Sequence, residues 1–304
     1  MKVVEKFTVN LIPDTLQLAY MGAKTVEVGV EINTFNDGSV RVLIPSITKG
    51  FEWQTARIDA FVESMDDLMI VAQIKNILEQ NSVNRPRSYC LNILSTPYTR
   101  YDRPMLDGID GFGAKVFADF VNSIGFDSVV FSDCHSEVMT DLVKGSLNLH
   151  QRVLCQNTVE LENVGLICPD NGARKKIPDA IIRFDKTRDL ATGKITGFKL
   201  DSQIVGQPEK FNEFLVVDDI CEGGRTFIEV AKCFKENVKN GVLKPKNGVK
   251  LYLYVTHGIF SNYAVENLLV EYDTIYTHYM KRSTYFALTV QEQEKVIVNT
   301  LINA

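Results

Sequence analysis

The stretch Leu215-Val216-Val217-Asp218-Asp219-Ile220-Cys221-Glu222-Gly223-Gly224-Arg225-Thr226 holds the densest chemistry in a chain of 304 residues. An apolar run delivers two adjacent carboxylates. Two glycines then let the backbone bend around an anion before a helical pattern opens at Thr226. A helix N-terminus offers unpaired N–H groups and a partial positive charge, which suits a phosphate. The carboxylates beside it suit ribose hydroxyls or a solvated metal. A plainer account is a strand-loop-helix turn whose Asp and Thr serve as caps, and the segment alone does not separate the two. Three more apolar runs end in the same manner. Ser128 to Phe131 leads to Asp133-Cys134-His135, Val164 to Cys168 to Pro169-Asp170-Asn171-Gly172, and Leu251 to Val255 to Thr256-His257-Gly258. Open parallel sheets bind ligands at the carboxyl ends of their strands.

Fixed cations stand elsewhere in the chain. Arg100, Asp102 and Arg103 follow Ile93 and Leu94; guanidinium forks suit phosphate oxygens and stack on purines, although a surface ion-pair network is the plainer reading. Lys186 and Arg188 open a charged segment, Asp185 to Phe198, with Gly193, Gly197 and few apolar anchors. It reads as a mobile loop or hairpin. Two cations closed over a polyphosphate would serve phosphoryl transfer, which depends on positioning and charge neutralisation; the plainer reading is a solvated loop. Magnesium takes oxygen ligands and keeps waters, so one or two protein groups plus substrate phosphates suffice to hold it.

The elements that must position these groups alternate between short apolar runs and amphipathic segments, the pattern of an α/β protein. Val40 to Ile44 alternates like a half-buried strand. Met65 to Leu78 carries Leu68, Val71, Ile74, Ile77 and Leu78 at helical spacing. Ala114 to Ile124 repeats that spacing and stops at Gly125. A break near residues 144–160 divides the chain into two α/β lobes. Hydrophobic residues make up 45% and charged ones 23%, an ordinary globular balance that can bury a core without disulfides or a structural metal. A net charge of −5 argues against a nucleic-acid or anionic-membrane binder. No apolar run reaches about 18 residues, and Met1 to Pro13 lacks the layout of a signal peptide. Cys90, Cys134, Cys155, Cys168, Cys221 and Cys233 are scattered with no CxxC pair and read as reduced thiols of a cytoplasmic protein.

The loop at 218–226 resembles the phosphoribosyl-diphosphate-binding loop of ribose-phosphate pyrophosphokinases and type I phosphoribosyltransferases. Further segments select the pyrophosphokinases. Pro97-Tyr98-Thr99-Arg100-Tyr101-Asp102-Arg103 resembles their PY-x-R-Q-D-R stretch, and Phe131-Ser132-Asp133-Cys134-His135-Ser136 their D-L-H-[AS] metal site. Cys168-Pro169-Asp170-Asn171-Gly172 is similar to S-P-D-x-G, and Thr256-His257-Gly258-Ile259-Phe260-Ser261 to T-H-G-[IV]-F-S. Phe35-Asn36-Asp37-Gly38-Ser39 is similar to F-x-D-G-E, and Asp185-Lys186-Thr187-Arg188 to the mobile K-x-R loop. These matches are collinear from about Phe35 to His278.

The resemblance implies two phosphoribosyltransferase-like lobes, each a mainly parallel sheet flanked by helices. Residues 1–145 would form an N-terminal ATP-binding lobe and 146–304 a C-terminal lobe with the ribose-phosphate loop, a last helix packing back on the first lobe. It implies ATP binding by Phe35, Asp37, Arg100, Tyr101, Asp102, Arg103 and His135, and Mg2+ at His135, Asp170 and Asp133. The ribose phosphate would lie on Asp218, Asp219, Glu222, Gly223, Gly224, Arg225 and Thr226, with Lys186 and Arg188 catalytic. Partners would be small molecules, with no nucleic acid and no membrane, and a second copy in a homo-oligomer, dimer or hexamer, since Phe35 and Asp37 act across a subunit contact in the family.

Several positions depart from the pattern. Glu222-Gly223-Gly224-Arg225-Thr226 stands where the family has D-T-x-G-T, so a threonine hydroxyl is lost and a bulky cation gained. Ser39 replaces a glutamate, Tyr101 a glutamine and Pro104 a lysine. The default activity is transfer of the β,γ-diphosphate of ATP to ribose 5-phosphate. The altered loop also suits ADP-ribose, the acceptor of a divergent, phage-type ADP-ribose pyrophosphate synthetase in NAD resynthesis. A non-catalytic regulatory subunit is a third reading, opposed by retention of His135, Asp170, Lys186, Arg188, Asp218 and Asp219. A base phosphoribosyltransferase would not need the Arg100 and His135 segments. Gly22-Ala23-Lys24-Thr25 lacks the upstream glycine of a P-loop, and Gly111-Phe112-Gly113 lacks the third glycine of a dinucleotide fingerprint.

Overall fold

A computed structural model of the chain describes residues 1–13, 24–45, 53–81, 85–106, 109–159, 162–188, 195–201 and 206–304. Gly22 and Ala23, and residues 189–194 of the expected loop, lie outside these. The chain divides into two compact units, Val4–Leu149 and His150–Asn303, with Met1–Val3 joining the second.

The first unit follows β1 (Lys2–Glu5) with β2 (Phe7–Pro13), β3 (Val26–Val28), β4 (Glu31–Thr34), β5 (Val40–Leu43), β6 (Trp53–Phe61), α1 (Met65–Gln80), β7 (Ser88–Ser95), α2 (Gly113–Ile124), β8 (Ser128–Ser132), α3 (Val138–Leu142) and β9 (Ser146–Leu149). Its sheet runs β3-β2-β6-β7-β8-β9. The pairs from β6 to β9 are parallel, and β2 is antiparallel to both β3 and β6. The spacing of α1 does what periodicity requires: Leu68, Val71, Ile74 and Leu78 are buried against Ile58, Leu91 and Ile93 of the strands. Asp67 starts that helix by accepting the backbone N–H of Ser64 at 3.1 Å. Gly125 closes α2 at φ 76°, the left-handed stop that its position foretold. β4 and β5 form a separate antiparallel hairpin.

The second unit contains α4 (Gln151–Gln156), β10 (Gly165–Cys168), β11 (Ile182–Arg188), β12 (Ile195–Leu200), β13 (Glu213–Cys221), α5 (Arg225–Lys239), β14 (Lys250–Gly258), α6 (Ala264–Leu269), β15 (Thr274–Lys281), α7 (Arg282–Phe286), α8 (Val290–Gln293) and β16 (Val296–Asn303). The sheet order is β1-β16-β15-β14-β13-β10-β11-β12. From β16 to β11 neighbouring strands run parallel, and β12 returns antiparallel to β11. β13 and β14 are covered on both faces, which is why they read as unbroken apolar runs. Phe214 and Val216 join one core layer with Phe227, Val230 and Phe234 of α5; Leu215 and Val217 join another with Leu154, Cys168 and Ile177. The α/β class with mainly parallel sheets is borne out. The chain ends on β16, parallel to β15, with Val296, Val298, Leu301 and Ile302 buried along it. The six cysteines are free thiols. Among the described residues no helix is long and apolar enough to cross a membrane.

Candidate functional site

Two carboxylates expected in the turn after β13 lie within the strand itself. β13 continues to Cys221, with Asp218 opposite Val255, Ile220 opposite His257 and Cys221 opposite Gly258 of β14. Strand alternation then separates the pair. Asp219 shares the face of Leu215 and Val217 and is 4% exposed, whereas Asp218 shares that of Phe214 and Val216 and is half-buried. Lys176 Nζ lies 3.6 Å from Asp219 Oδ2. Asp218 accepts the backbone N–H of Asp219 at 2.9 Å. Burial, followed by the negative charges of Asp219 and Asp170, pushes the Asp218 carboxyl well above the usual carboxylate range, and Lys176 opposes the shift.

The phosphate loop is built by its neighbours. Gly224 takes φ +76° as the N-cap of α5, and its α-carbon faces Leu268 of α6 closely enough that a Cβ would meet Leu268 Cγ at 3.2 Å. The turn after β14 clamps the loop from outside. Ile259 and Phe260 donate their N–H groups to the Cys221 carbonyl at 3.0 and 3.1 Å, and Ser261 donates to that of Glu222 at 3.0 Å. That turn holds Phe260, Asn262 and Tyr263 at positive φ, a costly conformation for side chains with a Cβ. Glu222, Gly223 and Arg225 are exposed and Thr226 is half-buried at the start of α5, where first-turn N–H groups lack intrahelical partners. The loop therefore has the backbone layout of an anion cradle.

Asp170 follows the end of β10. Its Oδ1 accepts the N–H of Ala173 at 3.1 Å and its Oδ2 pairs with Lys186 Nζ at 2.5 Å. Lys186 is thus on strand β11, where it pairs in register with Phe198 of β12, the hairpin form of the two that its segment allowed. Arg188 ends β11, and its side chain lies outside the described residues. Arg174, in the turn after Asp170, contacts Asp185 at 2.9 Å and Asp201 at 2.6 Å. Neither Arg174 nor Lys176 stood out in the sequence. Their one signal was the basic run Arg174-Lys175-Lys176 directly after the Asp170 turn. Burial pushes the thiols of Cys168 and Cys221 up to about 12, so these neutral groups are poor nucleophiles.

In the first unit, β7 and β8 are parallel neighbours, and Cys134 Sγ stands 3.9 Å from Thr96 Oγ1 at their carboxyl ends. Arg100, Tyr101 and Arg103 leave that edge exposed, Asp102 is half-buried, and His135 is exposed. Tyr101 is fixed by its backbone, receiving the N–H of Ala114 at 3.1 Å and donating to Tyr98 at 2.9 Å. Asp133 takes φ 56° and is 2% exposed, so its carboxylate is sunk where that of a solvated-metal ligand would stand open. Phe35 and Asp37 cap the β4–β5 hairpin. Phe35 is 54% exposed, and Asp37 Oδ1 accepts the N–H and Oγ–H of Ser39 at 2.9 and 2.7 Å, which lowers its pKa. Ser39 thus occupies the very carboxylate beside it. Among the described residues no three His, Cys, Asp or Glu side chains gather as a metal cage. The donor set suits an ion that takes one carboxylate and finds its remaining oxygens on water and phosphate, as magnesium does.

No family model matches the chain. It is 27% identical over 258 residues to a ribose-phosphate pyrophosphokinase of Shewanella oneidensis, covering 78% of this chain and 73% of that one. It is also 27% identical over 253 residues to the protein of the same name from Buchnera aphidicola subsp. Schizaphis graminum, with the same coverage. Among solved structures it resembles phosphoribosylpyrophosphate synthetase from Mycobacterium smegmatis with a TM-score of 0.62 at 16% identity, over 90% of this chain and 86% of that one.

Proposed function

Because the chain is, in sequence and in fold, a divergent relative of the ribose-phosphate pyrophosphokinases, and with them a diphosphokinase-type transferase, we propose that it moves the β,γ-diphosphate of ATP to the C1 hydroxyl of a phosphorylated ribose. The observation that carries this reading is the convergence in the second unit of three parallel-strand ends. They bring the Asp218–Asp219 pair, the 222–226 cradle and the Asp170–Lys186 ion pair to one edge of one sheet. Asp218 and Asp219 hold the ribose hydroxyls, and the backbone amides at 223–226 hold its 5-phosphate. In the first unit Arg100, Arg103 and His135 bind the polyphosphate of ATP, and Phe35 takes the adenine.

The C1 oxygen attacks the β-phosphorus in line; its bond to Pβ forms as the bond from Pβ to the α-phosphate oxygen breaks, and AMP leaves. Lys186 and Arg188 neutralise the charge that builds on the transferring group. Asp170 would hold magnesium, which would supply charge neutralisation of the phosphates when bound. The Asp170–Lys186 ion pair keeps the ammonium beside the carboxylate that would hold the metal.

The default acceptor is ribose 5-phosphate. One observation favours ADP-ribose as a second reading: a Cβ on Gly223 would meet nothing within 4 Å, and Arg225 is exposed at the first turn of α5, leaving room and a cation for a second phosphate. The test is incubation with ATP and magnesium and either acceptor, measuring AMP and diphosphorylated product. Turnover with ADP-ribose alone replaces the default. Turnover with neither turns the reading to a regulatory subunit that binds nucleotide without acting on it.

A further inference from the structure

We infer that Arg174 is a positioning residue for the proposed transfer, an electrostatic bridge that seats the lysine-bearing hairpin on the Asp170 turn; the inference rests on the function proposed above. β11 has its parallel neighbour β10 only as far as Arg183, which pairs with Cys168 where β10 ends. Beyond that point residues 184–188 are paired by β12 alone. β12 itself packs on α5, where Cys233 Sγ reaches the Phe198 carbonyl at 3.5 Å. The opposite edge of β11 has lost its strand, and a two-stranded ribbon is marginal by itself.

The turn that follows β10 replaces the missing strand with side chains. Arg174 Nη2 touches Asp185 Oδ1 of β11 at 2.9 Å and Asp201 Oδ2, just past β12, at 2.6 Å. Asp201 is tied to β11 by its own N–H, donated to the Arg183 carbonyl at 2.9 Å. One nitrogen therefore joins both strands of the ribbon to the segment carrying Asp170. Without it two half-buried carboxylates, 23% and 15% exposed, diagonal neighbours on the ribbon because Asp185 pairs with Lys199, would lose the cation they share, and removing one member of a part-buried ion pair is destabilising. Lys186 is the next residue after Asp185, so loosening the bridge displaces the ammonium that the reaction needs.

The experiment compares Arg174→Met, which keeps the length of the side chain, with Arg174→Lys, which keeps the charge. Since a single nitrogen makes both contacts, an ammonium can stand in for it. In Arg174→Met, kcat should fall on the order of 10²-fold, the scale of an ångström of misplacement, with KM for ATP and sugar phosphate nearly unchanged. Amides of β11 and β12 should exchange with deuterium about 10-fold faster or more, the scale of a lost charge-assisted hydrogen bond, while those of β13 and β14 stay protected. Arg174→Lys should recover most of both. Unchanged ribbon exchange in Arg174→Met, or equal losses in the two variants, overturns the bridge. Lack of turnover by the parent protein sinks the proposed function instead, and the exchange contrast then decides the bridge alone.

Discussion

Replacing Gly224 by alanine tests the phosphate cradle at its tightest point. Gly224 stands at φ +76°, and an added Cβ would lie 3.2, 3.3 and 3.4 Å from Leu268 Cγ, Cδ1 and Cδ2. Holding an L-residue in the left-handed region costs about 1–2 kcal/mol, and pressing a methyl into a packed leucine adds about 1 kcal/mol at the low end of overpacking. Leu268 is fully buried and has little room to retreat. Gly224→Ala should therefore lose about 2–3 kcal/mol of stability. The strain falls on the loop whose carbonyls at 221 and 222 are clamped by the turn after β14, so KM for the phosphorylated ribose should rise while KM for ATP stays level. Gly223→Ala is the internal control, because its Cβ meets nothing within 4 Å and should change stability by no more than about 0.5 kcal/mol. Urea unfolding by circular dichroism and steady-state kinetics supply the two readouts. Equal stability of the two alanine variants, with an unaltered sugar KM in Gly224→Ala, would refute the geometry of the cradle.

Lys186→Ala should depress AMP release by roughly 10³-fold or more, as for other transition-state cations, with nucleotide binding by calorimetry largely kept; normal turnover ends its catalytic role. His278 supplies a pH prediction. It is 7% exposed, its Nδ1 is 2.7 Å from Thr158 Oγ1, and burial pushes its pKa down from 6.5 to about 4. Thr158 donates its hydroxyl proton to the Leu154 carbonyl, so the imidazole is the neutral Nδ1–H donor to that oxygen. Since the folded value lies below the unfolded one, this stabilisation is present above about pH 6.5 and is lost as pH falls towards 4, about 3 kcal/mol in all. His278→Gln should flatten the urea midpoint across that window relative to the parent, and an identical acid loss in both proteins would remove His278 as the cause. Restoring the family loop with Gly223→Thr and Arg225→Gly should shift the kcat/KM ratio towards ribose 5-phosphate by about 10-fold or more if the native acceptor is ADP-ribose; competition between the two acceptors measures it.

Local pattern made much of this protein legible. The buried stripe of α1, the stop at Gly125 and the apolar runs of β13 and β14 follow from periodicity and residue type, which act over a few neighbouring positions. Periodicity was less informative about which apolar positions are covered. Val116 and Phe120 of α2 belong to its apolar pattern yet are 54% and 53% exposed, because burial depends on what the helix faces. The last segment shows the same limit: Val296 to Asn303 alternates as readily as it winds, and the open edge of β15 made it a strand.

Motif residues could be picked from the sequence because each carries its chemistry in its own side chain: carboxylates after apolar runs, glycines before a helix, cations in a charged segment. Their partners could not, because ion pairs join residues distant along the chain. That Lys186 reaches back to Asp170, that Arg174 spans Asp185 and Asp201, and that Lys176 sits beside Asp219 depend on β10 ending where β11 continues. The sequence by itself determined the alternation of strands and helices and the chemical types at the strand ends. Only the tertiary structure decided that Asp218 and Asp219 lie inside a strand on opposite faces and that Lys186 pairs with Asp170. Hydrogen-bond register and charge pairing are properties of neighbours brought together by folding, and no single stretch of chain contains them.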